Sequence, residues 1–156
     1  MNSLIRLLTV VLGTLGAAAV GWIFVDIEIS GWYAALAKPP FMPSGSVFAL
    51  VWVVLYALMA IACAIIWLDS RPTDHHANWV RFYFIHLLPN VGWVIFFFGF
   101  HSIWLAFTDI LVLGFFVVGL TVTAYEIDRR AAYLLLPYMA WILFAAYLNV
   151  GIWVLN

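Results

Sequence analysis

Charged side chains are scarce in this chain. Its 156 residues include six Lys or Arg and seven Asp or Glu, which together make 8%. A soluble domain carries about 25% charged residues because water must hydrate its surface, so this composition excludes an ordinary soluble domain. The few basic residues are scattered and the formal net charge is −1. A nucleic-acid partner is therefore not expected, since no basic patch exists to neutralise phosphates.

Cysteine and catalytic motifs are also scarce. The single cysteine, Cys63, lies inside an apolar run, so an internal disulfide is impossible. His75 and His76 are adjacent in sequence, and no cluster of Cys or carboxylates completes a metal site around them. A nucleophile elbow, a glycine-rich phosphate loop and a catalytic carboxylate pair are missing as well. The sequence predicts no metal site, no obligatory cofactor and no conventional enzyme.

Long apolar runs dominate what remains, since 68% of residues are hydrophobic. A helix needs about 20 mostly apolar residues to cross a bilayer. Five stretches qualify, at 4–25, 46–68, 79–98, 102–124 and 131–155. The sequence therefore predicts an all-α integral membrane protein, a five-transmembrane-helix bundle that forms a single domain over residues 1–156.

The distribution of basic residues predicts the orientation of the bundle. Five spans place the two termini on opposite sides of the membrane. The N-terminal side collects Arg6, Arg71, Arg81, Arg129 and Arg130, whereas the other side has Lys38 in the Pro-rich loop at 26–45. By the positive-inside rule, the N-terminus is cytoplasmic and the Pro-rich loop is outside, if the chain inserts into a bacterial inner membrane.

Three of the predicted helices carry aromatic and polar residues at helical spacing, so that each set shares one face. These residues are Trp52 and Tyr56 in the second span, His86, Asn90 and Trp93 in the third, and Tyr138, Trp141, Ala145 and Leu148 in the fifth. If the faces converge, they form an apolar aromatic cavity with a few hydrogen-bonding groups, which is typical of a small-ligand site. The alternative is that the aromatics are packing residues and interfacial anchors.

Polar side chains within the spans need partners, because an unsatisfied polar group in hydrocarbon costs several kcal/mol. His86, Asn90, Asp109 and Asn149 are of this kind. They either hydrogen-bond between helices or, for His86 and Asn90, face a ligand. Small residues at Gly13, Ala17 and Gly21 also share a face of the first span, which favours close helix packing.

Several motifs together resemble the tryptophan-rich sensory protein (TspO) and translocator protein family, also called TspO/MBR. They are Trp32-Tyr33-x-x-Leu36-x-Lys38-Pro39, then Phe41 and Pro43, Trp52-x-x-x-Tyr56, Asn90-x-x-Trp93, and Pro137-Tyr138-x-x-Trp141-x-x-Phe144-Ala145-x-x-Leu148-Asn149. The similarity runs from about residue 31 to residue 153. Phe41 stands where the family's loop has Trp, and the C-terminal sterol motif of animal members is absent.

The resemblance implies a five-helix bundle that often dimerises and binds porphyrins, haem-pathway intermediates and other hydrophobic ligands. The pocket positions that carry over are Trp52, Asn90, Trp93, Trp141, Ala145 and Leu148, with His86 where many members have Gln. A loop containing Trp32, Lys38, Pro39, Phe41 and Pro43 is expected to lie over the pocket mouth. The expected partners are a hydrophobic small molecule, membrane lipid and a second copy of the chain.

The leading functional expectation is a membrane receptor or sensor that binds a tetrapyrrole on the indoles of Trp52, Trp93 and Trp141, and that senses, sequesters or transports it. An alternative is light- or oxygen-dependent porphyrin breakdown, with Trp52 and Trp141 as the reactive groups. A further alternative is a membrane scaffold without a specific ligand.

Overall fold

The computed structural model describes residues 2–28, 31–69 and 73–156, and 87% of these described residues are helical. The helices are α1 (Ser3–Glu28), α2 (Trp32–Ala35), α3 (Gly45–Trp67), α4 (Asp74–Val94), α5 (Ile103–Ile127) and α6 (Arg129–Leu155). A π-helical turn, Ile95–Gly99, continues α4. Five of these helices are long and apolar enough to cross a membrane, which confirms the predicted all-α five-helix bundle.

Two helices begin earlier than hydropathy predicts, because their first turns are polar and capped. The fourth helix begins at Asp74 rather than near residue 79, after Thr73, whose backbone N–H donates to His76 Nδ1 at 3.2 Å. The last helix begins at Arg129, and the Asp128 carboxylate accepts the backbone N–H of Arg130 at 2.8 Å. The Arg130 guanidinium also holds the pKa of Asp128 below its ordinary value, which keeps this cap ionised.

The five long helices form a ring in the order α1, α3, α6, α5, α4, and α3 also meets α4 across it. Polar side chains form hydrogen bonds between neighbouring helices at several levels of the bundle. Thr14 Oγ1 and Tyr83 Oη lie 2.7 Å apart between α1 and α4, and Trp79 Nε1 donates to the Leu120 carbonyl at 2.9 Å between α4 and α5. Asp109 of α5 lies against α4 at Gly92, where a Cβ would be 2.8 Å from Asp109 Oδ1. These bonds fix which faces point inward.

The small residues of α1 serve packing within one chain. A Cβ on Gly13 would lie 2.8 Å from a ring carbon of Phe84, and one on Gly21 would lie 3.7 Å from Val94. Ala17, between them, is buried. The small-residue face of α1 thus packs closely against α4 of the same molecule, and homodimer formation stays a prediction from the family resemblance.

The predicted loop at 26–45 contains helical residues where the structure describes it. Within it, α1 continues to Glu28 and the short helix α2 forms. Its later part is fastened to the end of α6, because Asn156 both accepts from the Ala37 N–H at 3.0 Å and donates to the Ala37 carbonyl at 3.1 Å. Tyr147 Oη donates to the Pro40 carbonyl at 3.1 Å. These contacts hold the Pro-rich loop over the end of the bundle.

Replacing Gly151 with Ala should loosen this attachment. A Cβ there would lie 2.5 Å from Pro39 Cβ and 2.7 Å from Pro39 Cγ, and a proline ring cannot swing aside. We expect the free energy of unfolding in detergent to fall by about 1–3 kcal/mol, the usual cost of overpacking. Gly16→Ala is the matched control, since nothing lies within 4 Å of its Cβ position. Equal stability of the two variants would contradict the close contact.

Candidate ligand-binding cavity

A cavity of about 450 Å³ lies between α1, α3, α4 and α6, beneath the Pro-rich loop. Its volume is in the range of small-molecule sites, and its walls are mostly apolar, as such sites usually are. On α1 it runs from Val11 to Val25, and the loop contributes Tyr33, Met42 and Pro43 as its roof. Residues of α3, of α4 with its π-helical turn, and of α6 form the other walls.

Aromatic rings make up much of the inner wall. Phe48 lies at the centre, with its ring centroid 6.3 Å from Trp52 and 6.3 Å from Trp93. Trp93 in turn stacks on Phe97 at 5.3 Å, with an interplanar angle of 20°. All four residues line the cavity. Such ring faces suit offset stacking against a flat aromatic ligand.

Tyr33 closes the roof. Its ring centroid lies 5.5 Å from Phe98 and 6.1 Å from Phe97, and its hydroxyl donates to Met42 Sδ at 3.4 Å. Burial raises the pKa of Tyr33, so its phenol is neutral at physiological pH. The roof therefore brings an uncharged ring and a thioether to the cavity.

Asn90 organises the floor. Tyr56 Oη donates to Asn90 Oδ1 at 2.5 Å, and Asn90 Nδ2 donates to Tyr138 Oη at 2.7 Å. Asn90 is 1% exposed and Tyr138 is fully buried. This chain of hydrogen bonds joins α3, α4 and α6 at the depth where the cavity ends, so it fixes the spacing of the three walls.

Asn149 holds the opposite end of the cavity. Its Oδ1 accepts from Trp93 Nε1 at 3.2 Å, and its Nδ2 donates to the Ile103 carbonyl at 3.0 Å. The indole of Trp93 is therefore held in one orientation by α6, which is itself fixed to the first turn of α5. Asn149 lines the cavity, although its sequence position indicates only that it is a polar group within a span.

The structure brings six of the nine predicted pocket residues to the cavity: Trp52, Tyr56, Asn90, Trp93, Ala145 and Leu148. The other three are displaced from its lining. His86 is completely buried one turn before Asn90, where its Nδ1 pairs with the Tyr83 carbonyl. Tyr138 lies behind Asn90, and Trp141 lies behind Phe48, with a ring separation of 5.6 Å. Residues on one helical face point in the same direction, but whether each lines the cavity also depends on its position along the helix.

Of the predicted lid residues, Pro43 lines the cavity and the other four lie elsewhere. Phe41 is 84% exposed, with a left-handed backbone (φ 63°) that turns it outward. Lys38 folds back onto α2, Pro39 packs on Gly151, and Trp32 stacks on His101 at 4.5 Å. Of these five residues of the loop, Pro43 is therefore the one that lines the cavity, because the loop uses most of the others for its own attachment.

Sequence reasoning missed three groups of lining residues, on α3, on α1 and in the loop. Phe48 carried a usable signal, because it lies four residues before Trp52 on the same helical face. The α1 wall carried none, since its residues apart from Thr14 are apolar or glycine and any face of such a helix can point to lipid or to a cavity. Tyr33 and Met42 depend on the path of the loop, which spacing does not determine.

The wall between α1 and α3 is open to the outside of the bundle. Lining residues on both helices are also substantially exposed, with relative accessibilities of 58% for Leu15, 59% for Trp22 and 64% for Val53. All three side chains are apolar or aromatic. In a membrane, this opening faces lipid rather than water.

Comparison with known proteins identifies relatives over almost the whole chain. The sequence profile described as the TspO/MBR family matches residues 8–154. The chain is 33% identical to the tryptophan-rich protein TspO of Archaeoglobus fulgidus over 99% of each chain. It is 34% identical to the protein of the same name from Chlorobaculum tepidum, over 100% of this chain and 99% of the relative. It is also 33% identical to the translocator protein of Homo sapiens, over 86% of this chain and 80% of the relative.

Proposed function

This chain belongs to the TspO/MBR family, and from that premise we propose that its aromatic cavity binds a flat tetrapyrrole within the membrane. Membership and five apolar helices make it an integral multi-pass membrane protein. Membership also supports a sensor or translocator role. We propose in addition that the ligand is a tetrapyrrole and that the protein sequesters or transports it.

One observation carries this proposal: the convergence of Phe48, Trp52, Trp93 and Phe97 on a single apolar cavity. A flat conjugated ring placed against them gains dispersion and offset stacking, with about 0.5–1.5 kcal/mol for each aromatic pair beyond the burial of its area. Apolar burial supplies the larger share, at about 25 cal/mol for each Å² removed from water. The hydrogen-bonded floor keeps these rings in place before a ligand arrives, which reduces the entropy cost of binding.

Tryptophan fluorescence tests the proposal. The protein in phosphatidylcholine nanodiscs is titrated with protoporphyrin IX, and the quenching is followed as the ligand-to-lipid ratio rises. We expect a saturable curve that ends at one ligand for each chain. A matched titration of Trp104→Phe, in the exposed cluster with Trp153 outside the cavity, should saturate at the same ratio.

Linear quenching without saturation, by protoporphyrin IX and by its uncharged dimethyl ester alike, would contradict the proposal, because it would mean that the porphyrin only partitions into the lipid. The scaffold alternative would then explain the aromatic content better. Light- or oxygen-dependent breakdown of a bound porphyrin stays a separate prediction. Trp52 lines the cavity, whereas Trp141 lies next to Phe48 outside the lining, so we expect any such chemistry to depend on Trp52.

A further inference from the structure

We infer that the cavity selects neutral ligands, taken laterally from the hydrocarbon, over ligands that carry ionised carboxylates. The inference rests on the proposed function, because it names the ligand class that the same cavity accepts. It follows from the charge of the lining, from the engagement of its polar groups, from the position of Lys38 and from the lateral opening.

The lining is uncharged wherever the structure describes its side chains. Among the cavity-lining residues in the described part of the chain, none is Asp, Glu, Lys, Arg or His. A carboxylate that enters such a site loses its hydration, and only a paired or strongly hydrogen-bonded charge escapes a cost of several kcal/mol. The lining therefore penalises an anion and leaves an uncharged ring system unaffected.

The hydroxyl and amide groups that line the cavity already have partners within the protein. They are Thr14 with Tyr83, Tyr33 with Met42, Tyr56 with Asn90, and Asn149 with Trp93 and Ile103. Rearranging them to solvate a carboxylate would break contacts that hold the helices together. The indole N–H groups of Trp22 and Trp52 are neutral donors, and a neutral donor offsets only part of the cost of burying an ion.

Lys38 is the only basic residue between Arg6 and Arg71 in the sequence, so it is the natural candidate to pair with an acidic ligand at the mouth. The structure directs it elsewhere. Its Nζ donates to the backbone carbonyls of Tyr33 at 3.2 Å, Ala34 at 3.4 Å and Leu36 at 3.3 Å. An ammonium group has three N–H donors, so these carbonyls use all of them. Lys38 therefore caps α2, and it would have to leave α2 to meet a carboxylate.

The lateral opening between α1 and α3 also favours neutral ligands. Leu15, Trp22 and Val53 present the cavity to lipid through the gap between α1 and α3. A neutral hydrophobic molecule dissolves at that depth, whereas an ionised carboxylate is held near the headgroups by its hydration. The route and the lining thus favour the same class of ligand.

The test compares two probes that share one ring system. Protoporphyrin IX has two carboxyl groups, which are ionised at pH 7, and its dimethyl ester has no charge. Each is titrated into the protein in phosphatidylcholine nanodiscs, and its affinity is referred to the membrane-bound concentration measured with protein-free discs. We expect the ester to bind at least about tenfold more tightly, which corresponds to about 1.4 kcal/mol.

A charge placed in the roof sharpens the test. Met42 lines the cavity from the loop, so Met42→Lys puts an ammonium group beside the ligand. This variant should reduce the ratio of ester affinity to diacid affinity by about tenfold. Met42→Gln, of similar length and without charge, should keep the wild-type ratio.

The outcomes separate the inference from the function on which it rests. If the diacid binds as tightly as the ester or more tightly, selection of neutral ligands is wrong and tetrapyrrole binding stands. If Met42→Lys leaves the ratio of ester affinity to diacid affinity at the wild-type value, the inference is also overturned. Charge in the cavity would then not determine which ligand binds more tightly. If neither probe saturates, both the inference and the proposed function fail.

Discussion

Replacing Asn90 with Ala is expected to lower the free energy of unfolding by about 2–5 kcal/mol, because it leaves two buried hydroxyl groups without their partner. Tyr56 donates to Asn90 Oδ1 and Asn90 Nδ2 donates to Tyr138, so one side chain joins three helices. The floor of the cavity should relax with it, and porphyrin affinity should fall. Denaturant unfolding in detergent, followed by circular dichroism, measures the first effect.

A double-mutant comparison distinguishes this network from simple loss of volume. In a Tyr56→Phe/Tyr138→Phe background, Asn90→Ala makes the same change in volume and removes the amide after both hydroxyls have gone. We expect that change to cost much less than Asn90→Ala costs in the wild type, since no buried hydroxyl then lacks a partner. Equal costs in the two backgrounds would show that the hydrogen bonds contribute little.

Replacing Trp93 with Ala should have the second large effect, on both stability and binding. The indole is 8% exposed, stacks on Phe97 and donates to Asn149. Truncating a buried Trp to Ala usually costs about 3–5 kcal/mol. Porphyrin affinity should fall at least about tenfold, because the cavity loses a stacking face together with much of its apolar wall. The fluorescence titration and an unfolding curve measure the two effects separately.

Trp93→Phe is the matched control for this prediction. It keeps an aromatic face next to Phe97 but removes the N–H that Asn149 accepts. We expect it to retain most of the affinity and to lose part of the stability. If Phe and Ala at this position weaken binding equally, the indole does not act as a stacking surface.

Hydropathy predicted the fold well because lipid imposes a simple rule: a spanning segment must be apolar throughout and must satisfy its own backbone. The same rule explains the errors at helix ends. Asp74, His75 and His76 are helical but polar, and they extend α4 beyond the apolar segment. Local capping by Thr73 decides that boundary, and an average over a window of residues does not register it.

Helical spacing predicted part of the cavity lining. The predicted residues that do not line the cavity are on the expected helical faces but at a different position along the helix. Asn90 and Trp93 lie on one face and both line the cavity, whereas His86 shares the face but lies a turn deeper, packed against Tyr83 and Tyr138. The outward turn of Phe41 and the folding back of Lys38 depend on the tertiary path of the loop. Spacing carries no information about that path.

If the ligand occupies the cavity between α1, α3, α4 and α6, filling that space with a side chain must prevent binding. Ala60 lines the cavity, so Ala60→Phe places a ring inside it, whereas Ala19→Phe adds the same ring on an exposed part of α1 outside the lining. The measurement is the protoporphyrin IX titration of both variants and the wild type in nanodiscs. We expect Ala60→Phe to weaken binding at least about tenfold and Ala19→Phe to bind as the wild type does. If Ala60→Phe binds with wild-type affinity and stoichiometry, the ligand lies elsewhere and the account is wrong.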